Sequence, residues 1–199
     1  MTILKKSRIV TKWYDLLDDN SISGTYWSQT SGNGTSLSTE DSHMISLYTK
    51  NGGWNSNASK TLTTKIDLKT LGNIFRFQAF GFASGTGGSS GASVGITDGS
   101  NFTTLAICAA TGTSTISAWG ITVVLTVSED GNTVNFKRTG WVKYLVAGAS
   151  ASIISNNTNI DITGWSKLQI QLNASQCYST TSAGRGLAAI DKIEYEIIE

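Results

Sequence analysis

The chain has 199 residues, 15% of them charged and 39% hydrophobic, with a formal net charge of +1. That length suits one all-β sandwich domain, and a charge so close to zero removes the basis for holding nucleic acid, which needs clustered Lys and Arg against phosphates. Ser and Thr together number 52, Gly 21 and Pro zero, a make-up that fits a sheet protein with many small turns and lacks the high net charge of disordered chains.

The first residues, MTILKKSRIV, carry charge but no apolar core of the kind a signal peptide needs. Lys5, Lys6, Arg8 and Lys12 are followed at once by Asp15, Asp18 and Asp19. Residues 1–14 read as an N-terminal arm or short helix, ahead of a single β-sandwich domain over 15–199. No stretch approaches 18 apolar residues in a row, so no membrane span is expected.

MISLYT reads as a strand. It is followed by NGGWNSN, residues 51–57, in which Trp54 stands among Asn51, Asn55 and Asn57. An aromatic face stacks on the C–H face of a sugar ring, and amides both donate to and accept from its hydroxyls. These four residues are the glycan-binding candidates. The competing reading folds Trp54 back over a sheet edge.

IFRFQAF, residues 74–80, is a strand whose phase stays open. The run SGTGGSSGAS, 84–93, reads as a mobile loop joining two strands. SVGIT and TLAICA follow as further strands.

In ITVVLTVS, residues 121–128, Val123, Leu125 and Val127 face one way and Thr122, Val124 and Thr126 the other. A turn on Asp130-Gly131 returns the chain as TVNFK, with Val134 and Phe136 inward. TGWVK at 139–143 recurs as TGWSK at 163–167, which suggests similar turn geometry. Trp119, Trp141 and Trp165 each stand by a Gly and are expected at strand starts, capping the sandwich ends. KLQIQLN places Leu168, Ile170 and Leu172 on one face. IDKIEYEII places Ile193, Tyr195 and Ile197 inward, with Lys192, Glu194 and Glu196 outward. Turn signals every 8 to 12 residues argue for a sandwich or barrel.

Chemistry-bearing groups are sparse. His43 is the single histidine, and no nucleophile elbow accompanies it. Cys108 and Cys177 are too few for a disulfide framework; they read as buried free thiols, with a pairing across neighbouring strands as the alternative. One His and two distant Cys do not make a zinc site, and the calcium-loop pattern is missing. Neither cofactor nor metal is expected. Asp191, Glu194 and Glu196 are the nearest approach to the paired carboxyls of glycoside hydrolysis, but their spacing and Lys192 between them read as a solvated edge. No enzymatic activity is expected.

DDNSISGTYWSQTSGNG, then SKTLTTKIDLKTLGNIFRFQ, SVGITDGSNFTTLA, LTVSEDGNTVNFK and GLAAIDKIEYEI, taken in that order, resemble a concanavalin A-like jelly roll of the lectin and laminin-G-like kind. The resemblance covers roughly residues 15–199 and places Trp27 in the core. It implies an all-β, two-sheet antiparallel jelly-roll sandwich, of a kind common in carbohydrate-binding modules and in phage and virus structural proteins.

Two functions follow as expectations. The first is a non-enzymatic structural protein of a virus or phage particle, made in the host cytoplasm and carried in the virion. Its partners would be copies of itself, other virion proteins and a host glycan, with neither nucleic acid nor membrane. The alternative is a lectin-like carbohydrate-binding module.

Overall fold

The structure is a computed structural model that describes residues 12–15, 27–30, 35–41, 44–49, 58–86, 90–110, 113–144, 151–176 and 185–197. In chain order the strands are Lys12–Asp15 (β1), Trp27–Thr30 (β2), Thr35–Asp41 (β3), Met44–Thr49 (β4), Ala58–Thr64 (β5), Ile74–Thr86 (β6), Ser90–Thr97 (β7), Phe102–Ala110 (β8), Thr113–Val127 (β9), Thr133–Tyr144 (β10), Ala151–Asp161 (β11), Gln169–Gln176 (β12) and Arg185–Ile197 (β13). Among the described residues the single helix is a 3-10 turn, Leu68–Thr70.

Two antiparallel sheets form the layers. The larger runs β11-β10-β9-β6-β13-β4-β3, with β1 also on β13; the smaller runs β2-β5-β12-β7-β8. This is the two-sheet, all-β sandwich expected from the sequence. Period-two alternation drives it, because each strand offers one apolar face to the gap between sheets. From the larger sheet come Phe75, Phe77, Ile121, Val123, Leu125, Val134, Phe136 and Ile193, and from the smaller Leu62, Val94, Ile96, Ile170 and Leu172, all buried. The phase of β6 is thereby resolved: Phe75, Phe77 and Ala79 point inward, Arg76, Gln78 and Phe80 outward.

The β9–β10 hairpin stands as read, with Val127 opposite Val134 and Leu125 opposite Phe136. Gly131 holds φ +70° in its turn, a region that glycine enters without steric cost. Asp130 accepts from the Asn132 amide at 3.0 Å and the Ser128 hydroxyl at 2.6 Å. Asp98, Asp130 and Asp161 all accept hydrogen bonds within their own turns, and these hold each carboxyl below its ordinary value. Asp67 extends the contact between the neighbouring strands β5 and β12 beyond their ends. Its carboxylate accepts from the amide of Lys69 at 3.1 Å and from that of Leu168, just ahead of β12, at 2.8 Å.

Three expectations are corrected. Trp119 does not start a strand: it sits inside β9 and is fully buried. Its indole lies over Gly81, its cross-strand partner, and Nε1 donates to the Ala92 carbonyl of the opposite sheet at 3.1 Å. Trp165 lies in the β11–β12 connection, partly buried against the core, and Trp141 lies within β10. Trp27 is core, as the resemblance implies, at 2% exposed.

The Gly/Ser run 84–93 is mostly strand, belonging to the end of β6 and the start of β7. Its small residues serve close approach between layers. A Cβ on Gly186 of the larger sheet would run into the Gly91 carbonyl oxygen of the smaller. The TGWVK and TGWSK echo is likewise not one of geometry: 139–143 is extended strand, whereas 163–167 is a turn with Gly164 at φ +80°.

Candidate functional site

The side of the larger sheet turned away from the core carries the site. Residues opposite one another across antiparallel strands share a face, so the register gives its surface row by row. Trp141 (β10) faces Gly120 (β9), which faces Phe80 (β6). The next row is Thr139, Thr122 and Gln78. After that come Lys137, Val124, Arg76 and Glu194.

The first row holds two large aromatic side chains in the open. Trp141 is 43% exposed and Phe80 39%, although the opposite faces of the same strands fill the core. They stand one strand to either side of Gly120, about 9.6 Å apart at the backbone. Gly120 sets the attitude of the indole: a methyl group there would sit 3.0–3.2 Å from Nε1, Cε2 and Cζ2 of Trp141. Lacking that methyl, the sheet lets the ring lie down across it. Phe80, Trp141, Gln78, Thr122, Thr139 and Asp191 line a cleft of about 550 Å³ above this floor.

Asp191 reaches the cleft through an irregularity of β13. The pairing with β6 shifts register between Ile190 and Ile193, so Asp191 leaves the strict alternation of the strand, as a bulge permits. The three carboxylates read from the sequence are thus split. Asp191 faces the aromatic cleft, while Glu194 is bonded to Arg76 in a second cleft of about 330 Å³. That bond holds Arg76 above its ordinary value, against a smaller opposing effect of burial. Glu194 sits on a strand paired on both sides, with β6 and β1, and not on a free edge.

The remaining chemistry-bearing groups lie elsewhere. Cys108 is a free, buried thiol on the inner side of β8, pushed up to about 11 by burial. Arg138 points inward from β10 and donates to the Leu105 carbonyl of the other sheet and to Asn156 Oδ1 at 2.6 Å; burial lowers its pKa. Asn51, Trp54, Asn55, Asn57, His43 and Cys177 fall outside the described residues.

Sequence reading does not single out Phe80 or Trp141; strand phase marks Trp141, while the open phase of 74–80 leaves Phe80 unmarked. Val134 and Phe136 face inward, and counting on by twos puts Lys137, Thr139 and Trp141 outward.

No protein-family model matches the chain, and no curated protein matches it by sequence. By structure the chain is similar to the CBM2 module of the evolved Dit of Lactobacillus casei BL23 phage J-1, at 10% identity and TM-score 0.47, over 95% of this chain and 98% of that one. It is similar also to the lectin UEA-II complexed with galactose, at 9% identity and TM-score 0.42, over 92% of this chain and 98% of the other. A third is a carbohydrate esterase of the Shiga toxin-encoding bacteriophage phi24B, at 11% identity and TM-score 0.30, over 96% and 100%. What the chain's own described strands show is two antiparallel sheets.

Proposed function

We propose that this protein binds glycans without transforming them, and that the outer face of its larger sheet is the binding surface. One observation carries the reading: Phe80 and Trp141 stand exposed on a common face, either side of a glycine floor. An aromatic side chain left in water on a regular strand gives up its burial free energy, about 1.5–3 kcal/mol for a large apolar group. A ligand with apolar faces recovers it, and sugar rings have such faces. Gln78, Thr122, Thr139 and Asp191 supply the donors and acceptors that hydroxyls need. Asn51, Trp54, Asn55 and Asn57 remain proposed as a second contact.

A glycan array with wild type, Trp141→Ala, Phe80→Ala and Trp54→Ala tests this. The sheet-face reading expects Trp141→Ala to cost at least tenfold in affinity, with only a small fall in melting temperature because the side chain is 43% exposed. Binding that survives both sheet-face variants and disappears in Trp54→Ala would move the site to residues 51–57. No binding by wild type would end the glycan reading.

A second reading has the protein self-associate within a virus or phage particle. Among the described residues, the outermost strands β11 and β8 favour self-association. β11 carries no charged residue before Asp161, and β8 carries none at all, with Ile107 60% exposed on it. Edges without charge or proline invite pairing with another chain. Sedimentation velocity should show an oligomer that Ile107→Lys dissociates; a monomer at high concentration would sink this reading.

A further inference from the structure

We infer that the two clefts of the outer face are one groove, and that it takes an internal stretch of a neutral glycan chain lying along β6 and β9. This rests on the glycan reading above and narrows it from any sugar to a chain. The aromatic cleft and the Arg76–Glu194 cleft share two lining residues, Gln78 and Thr122. These two face one another in register across β6 and β9, so an amide and a hydroxyl form the neck between compartments. From Phe80 to Arg76 the strand advances four residues, about 13 Å. A single sugar ring bound in one compartment leaves the other untouched. Volumes of about 550 and 330 Å³ give room on both sides of the neck.

The two compartments differ in chemistry. The first stacks rings on Trp141 and Phe80. The second presents a guanidinium joined to a carboxylate, with Arg76 44% exposed and Glu194 14%. An Arg–carboxylate pair in contact is neutral as a unit, yet still displays N–H donors beside carboxylate oxygens. Adjacent sugar hydroxyls, each a donor and an acceptor, match that display. An anionic glycan would meet Glu194 beside the guanidinium and gain little from the pair.

The test is titration calorimetry with ladders, from mono- to hexasaccharide, of glucose, mannose and N-acetylglucosamine polymers. The proteins are wild type, Trp141→Ala and the double variant R76M/E194Q. Changing both partners removes one charge of each sign, and Met keeps most of the Arg stem. For whichever ladder binds, affinity is expected to rise at least tenfold with chain length. Trp141→Ala should weaken every length. R76M/E194Q should leave the shortest ligand unchanged and remove the gain with length, because a hydrogen bond to a charged group is worth about tenfold or more. Equal affinity for monosaccharide and hexasaccharide would overturn the groove while the glycan reading stands. Equal weakening of all lengths by R76M/E194Q would also overturn it, since the pair would then be shaping the aromatic compartment and not touching the chain. Failure of every ladder to bind would overturn the groove, and wild type that also fails on the glycan array would take down the glycan reading itself.

Discussion

Replacing Trp119 with Ala lowers the free energy of unfolding by about 3–5 kcal/mol, the range for deleting a buried indole. The side chain is fully buried and does two things at once. It covers Gly81 within its own sheet and hydrogen-bonds Ala92 of the other. Its removal opens a cavity between layers that the stiff sheets close only in part, and it leaves the β7 carbonyl without its inter-sheet donor. A denaturant midpoint that falls at constant slope is the expected signature. Trp119→Phe should recover most of the packing and still lack the hydrogen bond, for a loss nearer 1 kcal/mol from that bond plus the smaller ring. A cost for Trp119→Ala below 1 kcal/mol would mean that the indole does not support the layers.

Gly186→Ala is expected to be as damaging, although it adds a single methyl. Overpacking commonly costs about 1–3 kcal/mol, and occasionally more. Here the obstacles are main-chain atoms: the Gly91 carbonyl oxygen, and the Ser175 carbonyl oxygen at 2.7 Å from the new carbon. Side chains can turn aside, but these oxygens belong to β7 and β12, which pair with each other. The sheets would have to separate at that end. Circular dichroism melting, with hydrogen exchange on β7 and β12, should show the loss centred there. A variant with the wild-type melting temperature would show that the layers part easily.

Much of the sandwich was legible from residue order. Period-two alternation located the β9–β10 hairpin and the inner faces of β12 and β13, because half-buried sheets impose it. What escaped were positions where small residues break that signal. The Gly/Ser run 84–93 has loop composition, yet most of it is strand, because the layers meet closely enough there to exclude a side chain at Gly186. Local composition carries no information about a neighbour nearly a hundred positions away. The candidate site was less legible for a related reason. A Trp beside a Gly is the same letter pair whether the ring is core or surface. Trp119 precedes Gly120 and is buried; Trp141 follows Gly140 and is exposed. Strand phase separates them, and that phase had been assigned only a few residues short of each.

The position of β13 bears on how the chain reaches this state. β13 lies between β6 and β4, so on the sides that face it Ile74 waits for Glu196 and Ile45 for Ile190. The pairs β9–β10 and β10–β11 can zip early because their strands are close in sequence. β6 can join β9, but its other side stays unmet until the most distant strand arrives. Non-local pairing of this sort slows folding. In the interval a long strand rich in Phe presents unbonded amides and carbonyls to any passing chain, which is when association in the wrong register competes best. Refolding yield should therefore depend on protein concentration far more than the final stability does, with the docking of β13 setting the time during which the chain is vulnerable.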